Sequence, residues 1–148
     1  MANHLRQQIR ERLATVLTGL TTTAARVYQS RIYPMADTNL PGLTIYTLDE
    51  EAEIMTLTAP RRSERTLRLM VEARAKTVNN LDDVLDTICT EVEKALGVLS
   101  ALDGYAKEWN LARTEITFSG EGEIPVGIAA MEYRVKYYVA ENTPDIVY

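Results

Sequence analysis

The sequence predicts an α+β fold: a mostly antiparallel β-sheet flanked by two main helices, in the order α-β-β-β-α-β-β, with an extended hairpin arm. Three observations carry this. Two segments place apolar residues at helical spacing, around Leu5–Leu20 and Leu81–Leu96. The segment "RTLRLMVEARAK" alternates apolar and polar residues with period two. Near the end, a glycine-rich stretch, "GEGEIPVG", separates two further strand-like runs.

Taken in order, the first helix carries Leu5, Ile9, Leu13, Val16, Leu17 and Leu20 on one stripe, with Arg6, Gln7, Arg10, Glu11 and Arg12 opposite. Asn3 is its expected N-cap, and Gly19 with Thr21–Thr23 ends it, since consecutive β-branched residues favour extended chain. An extended run from Ala25 to Tyr33 comes next. Pro34 holds Tyr33 extended, a loop runs to Pro41, and "GLTIYTL" forms the second strand. The stretch "DEEAEIMTLTAPRRSE" is acidic, then apolar, then basic, and reads as a long exposed hairpin arm over residues 49–65.

In the third strand Leu67, Leu69, Val71, Ala73 and Ala75 alternate with Arg68, Met70, Glu72, Arg74 and Lys76. The second helix has Asn80 as its expected cap, an apolar stripe of Leu81, Val84, Leu85, Ile88, Cys89, Val92, Ala95 and Leu96, and Gly97 as an expected left-handed stop. Asp82, Asp83 and Asp86 complement the helix dipole. Residues 98–110 read as a short helical turn ending at Asp103-Gly104. Strands are expected at 112–119 and 128–139, the last with Met131, Tyr133, Val135, Tyr137 and Val139 on one face. The tail, residues 140–148, has nothing obvious to pack on. It is either a disordered end or an arm docked on a neighbour.

The 148 residues fit one domain, 1–148. Sixteen basic against twenty-one acidic residues give a net charge of −5, which argues against a general nucleic-acid binder. The lone Cys89 excludes an intramolecular disulfide. "MANHLRQQIRERL" has no apolar run of signal-peptide length, and no segment approaches the roughly 18 apolar residues of a membrane span. The expectation is a protein made and kept in a cytosol.

The residues offer little chemistry. His4 is the only histidine and is expected to be a solvated terminal residue. Cys89, on an apolar stripe, reads as a small buried hydrophobe rather than a nucleophile. The acidic run Asp49–Glu53 lacks the spacing and glycine of a calcium loop. "GEGE" lacks the lysine of a phosphate cradle, and its acids would repel phosphate. No catalytic residue, metal site or cofactor is expected.

Two features survive. The first is the arm. Either its two legs pair with each other, or the acidic shoulder (Glu50, Glu51, Glu53) of one copy meets the basic shoulder (Arg61, Arg62, Arg65) of the next, with Ile54, Met55 and Leu57 as the dry part. The second is the apolar-ended tail, Ile146–Tyr148.

Read together, several segments resemble the tail terminator proteins of long-tailed bacteriophages, the minor tail protein U group. They are "HLRQQIRERLATVL", "RIYP" leading into "LPGLTIYTLDEE", the arginine-containing central strand before "NNLDDVLDTICTEVEKAL", and the glycine-rich turn into "GIAAMEYRVKYYV". The resemblance covers the chain from His4 to about Val139. It implies a non-enzymatic virion protein forming a homo-hexameric ring. That ring would cap the head-proximal end of the tail tube, stop polymerisation and present the head-joining surface. The implied partners are further copies of itself, the tail tube protein and a head-tail connector or neck protein. DNA would pass through without specific binding, and no membrane is involved. Assembly would take place in the bacterial host cytoplasm.

Alternatives are a neck or head-completion connector of the same virion, and a nucleic-acid-binding module using Arg61, Arg62, Arg65, Arg68 and Arg74. The latter stretch lacks the interleaved aromatics that base stacking uses. An enzyme is disfavoured by the absence of a nucleophile-base constellation.

Overall fold

Period-two alternation in the sequence becomes a sheet with one dry face. The computed structural model describes residues 2–29, 40–119 and 124–148. The elements are α1 (Leu5–Leu17), β1 (Val27–Tyr28), β2 (Gly42–Ile54), β3 (Arg62–Lys76), α2 (Leu81–Leu96), β4 (Glu108–Ser119) and β5 (Val126–Ala140). Class and element order are as the sequence predicts. The five strands lie in the order β1-β2-β3-β5-β4. β3 and β5 form the centre and pair antiparallel from Arg62↔Ala140 to Lys76↔Val126.

One parity of the central strands is buried: Leu67, Leu69, Val71 and Ala73 on β3, and Ala129, Met131, Tyr133, Val135, Tyr137 and Val139 on β5. These side chains join Leu5, Ile9, Leu13 and Leu17 of α1 and Leu85, Ile88, Val92 and Leu96 of α2 in one cluster. Both helices therefore cover the same face. α2 packs on β3 and β5, and α1 on β2. Cys89 is buried in this cluster, and burial pushes its thiol up to about 11, as its place on the apolar stripe predicts.

Several boundaries differ from the sequence reading. The N-cap of α1 is His4, not Asn3: its Nδ1 accepts from the Arg6 N–H at 3.1 Å. Asn80 precedes α2 in the left-handed region and makes no side-chain cap bond. Gly97 is not left-handed (φ −80°), and its N–H bonds the Glu93 carbonyl at 2.9 Å. Over 98–106 the backbone makes single hydrogen-bonded turns, Ala101 N–H to the Val98 carbonyl and Ala106 N–H to the Leu102 carbonyl, rather than a helix, and β4 already starts at Glu108 because Trp109 and Leu111 find β5 partners. β2 and β3 are longer than expected, because cross-strand pairing carries the charged residues 49–54 and 62–64 into the sheet.

β1 is short and parallel to β2, with Val27↔Leu43 and Tyr28↔Thr44. A parallel neighbour needs a crossover rather than a tight turn. The expected loop after Pro34 and the "GEGE" turn fall on residues outside those described.

α2 lies close over β5 at Gly127. A Cβ there would meet Leu85 Cδ1 at 2.8 Å and Leu81 side-chain carbons at 3.1 Å. Gly127→Val is expected to overpack this contact and cost about 1–3 kcal/mol, measured as a lower denaturant midpoint with an unchanged m-value.

Candidate assembly surface

The β2–β3 hairpin is built on a bulge. Pairing is regular to Thr47↔Leu69 and resumes at Asp49↔Arg68, leaving Leu48 as the extra residue. The extra residue reverses the parity of the rest of the strand. Glu50 comes opposite Leu67, on the helix-covered side, and its side chain is only 10% exposed.

There Glu50 Oε2 accepts from Arg6 Nη1 at 2.8 Å and from Arg65 Nη1 at 3.3 Å. Its other oxygen accepts from the buried Tyr137 hydroxyl. Burial, and then that bond to a carboxylate, push the Tyr137 phenol well above its ordinary value. One carboxylate thus ties α1, β2, β3 and β5 together. His4 completes the cluster. With Nδ1 accepting from the Arg6 N–H, the ring proton is on Nε2, so the 3.3 Å approach of Arg65 Nη1 to Nε2 brings two donors together. Burial, and then the charge of Arg6, hold His4 below its ordinary value.

The helix-free face is laced with ion pairs of alternating sign. Arg68 pairs with Asp49 and with Glu132, the latter at 3.2 Å, and Glu132 also meets Arg134 at 3.4 Å. The Asp49 carboxyl is held below its ordinary value by its hydrogen bonds from Arg68. Glu72 accepts from Tyr46 at 2.7 Å and from Arg74 at 2.8 Å. Lys136 lies between Glu64 and Glu108. A shallow polar cleft of about 260 Å³ opens among Asp49, Glu51, Thr66, Arg68 and Arg134.

Every arginine of the suggested nucleic-acid row has a partner in its own chain. Arg61 pairs with Glu141 at 3.0 Å, and Arg65 with Glu50. Arg68 and Arg74 pair as above, and Arg62 lies 3.5 Å over the Tyr148 ring. Four of the five are ion-paired, unlike the unmatched cationic footprint that binds phosphate.

The candidate interface residues therefore separate into two groups. Glu50 and Arg65 are spent on the internal cluster, and Arg61 and Arg62 on the tail. Glu53, Ile54, Met55 and Leu57 lie at the exposed end of the hairpin, and Glu51 lies at the cleft. Leu57 is 96% exposed, Ile54 55% and Met55 54%. The legs 49–54 and 62–65 are strands within the sheet rather than an arm standing off it, so the projecting part is the turn between them.

The tail corrects a second expectation. It packs on its own chain: the Pro144 carbonyl accepts from the Leu5 N–H at 2.9 Å, and the Tyr148 N–H donates to the Tyr138 carbonyl at 3.0 Å. The free N–H groups of a helix start supply one of these contacts, which no local sequence pattern announces. Ile146, Val147 and Tyr148 nonetheless keep exposed surface.

No protein-family model matches the chain, and no curated protein does. Among solved structures, a chain from the virion of a native gene transfer agent particle is similar at 11% identity, over 90% of this chain and 95% of that chain, with a TM-score of 0.49. A likeness of that degree assigns neither family nor function.

Two outcomes are expected from the cluster. Glu50→Ala leaves the Tyr137 hydroxyl and two guanidinium groups short of an acceptor, and is expected to cost about 1–3 kcal/mol in chemical denaturation. Tyr137→Phe is expected to cost less. His4 stabilises as the neutral base, with its folded value below the ordinary 6.5. Its contribution is therefore complete above that pH and declines as pH falls below it. His4→Asn keeps an N-cap acceptor without a titrating ring. Denaturation midpoints measured between about pH 7.5 and 5.5 should fall less in this variant than in the wild type.

Proposed function

We propose that this chain is a non-enzymatic structural protein of a phage-type virion. It assembles with copies of itself into a ring at the head-proximal end of a tail tube, ending tube growth and offering a surface to the head side. The observation that carries this reading is the apolar end of the β2–β3 hairpin. Ile54, Met55 and Leu57 project into solvent there. Apolar side chains exposed together at one end of a hairpin mark an interaction site.

The segments that resemble tail terminators, from the first helix to β5, supply the identity of the assembly. Its ring form, its six-fold count and its partners, the tail tube protein and a connector, come from that resemblance. The matched charges of the helix-free face suit a protein past which DNA moves without being held.

Replacing Ile54, Met55 and Leu57 together with Ser tests the reading. The expected result is loss of ring-sized species by light scattering, with circular dichroism and thermal unfolding unchanged. Normal assembly of the triple variant would remove the hairpin end from the interface. Mixing the wild-type protein with purified tail tubes, and separately with head-side connector complexes, distinguishes a terminator from a neck protein.

A further inference from the structure

The sheet has a second, independent feature at its opposite edge. Among the described residues, β4 is hydrogen-bonded as a strand only to β5. The helix layer stops short of it, since α2 packs on β3 and β5. Ile116 and Phe118 register with Ala129 and Gly127 on the helix-covered face, yet they are 43% and 52% exposed. Edge strands are normally blunted by proline, lysine or inward charge. On the other side of the sheet, the part of β2 beyond its short pairing with β1 is dense in charge, with Glu50 turned inward and Asp49, Glu51 and Glu53 on the helix-free face. The segment Thr114–Phe118 has no proline and no lysine, its one charge, Glu115, points to the helix-free face, and it comes after the β4 bulge between Leu111 and Arg113.

The segment is also complementary to itself. Run antiparallel about Ile116, it sets Ile116 opposite Ile116 of a second copy, Thr114 opposite Phe118, and Glu115 opposite Thr117. No like charges face each other. The two-fold axis lies perpendicular to the sheet, so the apolar side chains of both copies share one face and cover each other. From this we infer that β4 is a self-pairing edge: two copies of the chain join antiparallel through Thr114–Phe118 into one continuous sheet. This contact uses none of the hairpin residues and stands apart from the ring reading.

Single cysteines placed in a Cys89→Ser background test it on the full chain. Under mild oxidation, Ile116→Cys should give a disulfide-linked dimer, because its partner lies directly opposite. Phe118→Cys should give little, because the two Phe118 positions are displaced along the strands by several residues. Without cysteine chemistry, Ile116→Arg should lose the dimer in sedimentation velocity while keeping the wild-type circular dichroism. Equal cross-linking of both cysteine variants, cross-linking of neither, or an unchanged dimer fraction in Ile116→Arg overturns the inference. The Ile54/Met55/Leu57 serine variant, run alongside, should still cross-link through Ile116→Cys. Loss of ring assembly with retained cross-linking separates the two surfaces.

Discussion

One-sided burial governs this molecule. Two helices of ordinary length cannot cover every strand of the sheet, and the chain spends them on the β3–β5 centre and on β2. The apolar parity of the central strands disappears beneath them, and the opposite parity must then be satisfied by charge and hydroxyl groups. The result is the lattice of paired acids and bases around Arg68, Glu72, Glu132 and Lys136. Exposed pairs of this kind contribute about 0–1 kcal/mol each. Their importance lies less in stability than in leaving a large face with its charges matched.

The β2 bulge has wider consequences than one extra residue suggests. By reversing parity it brings Glu50 in from what would have been the charged face and places it among Arg6, Arg65 and Tyr137. A buried carboxylate with a single partner would be costly, and several donors offset its desolvation. The same cluster anchors the start of α1, which in turn receives the tail through Pro144. The basic leg of the hairpin is tied to the tail directly, by Arg61 to Glu141. Arg62 stacked on Tyr148 closes the arrangement.

Much of this was legible in the sequence. The stripes of α1 and α2, the alternation of β3 and the apolar parity of β5 are local patterns, and each predicts its burial. The hidden part was non-local. Nothing near Asp49 shows that a bulge will turn Glu50 inward. The acidic run therefore reads as a shoulder for a neighbour when one of its members is a core anchor. Arg65 pairs with Glu50 across the hairpin, as the alternative in which the two legs pair with each other expects, whereas Arg61 finds its partner far along the chain at Glu141. His4 looks like a frayed terminal residue until the tail arrives to cover the helix start. The openness of β4 depends on which strands the helices cover, and so requires the topology. The exposure of Ile54, Met55 and Leu57 was readable, because they lie where the hairpin turns and no helix stripe in the pattern could cover their side chains.

The central claim is that this chain assembles through its own surfaces at the end of a tube. The most direct measurement is molar mass by light scattering across a concentration series, alone and with purified tail tubes, with the products imaged by electron microscopy. The account predicts closed rings with a central hole, seated at one end of each tube when tubes are present. A chain that stays monomeric at every concentration and leaves both tube ends bare would contradict it.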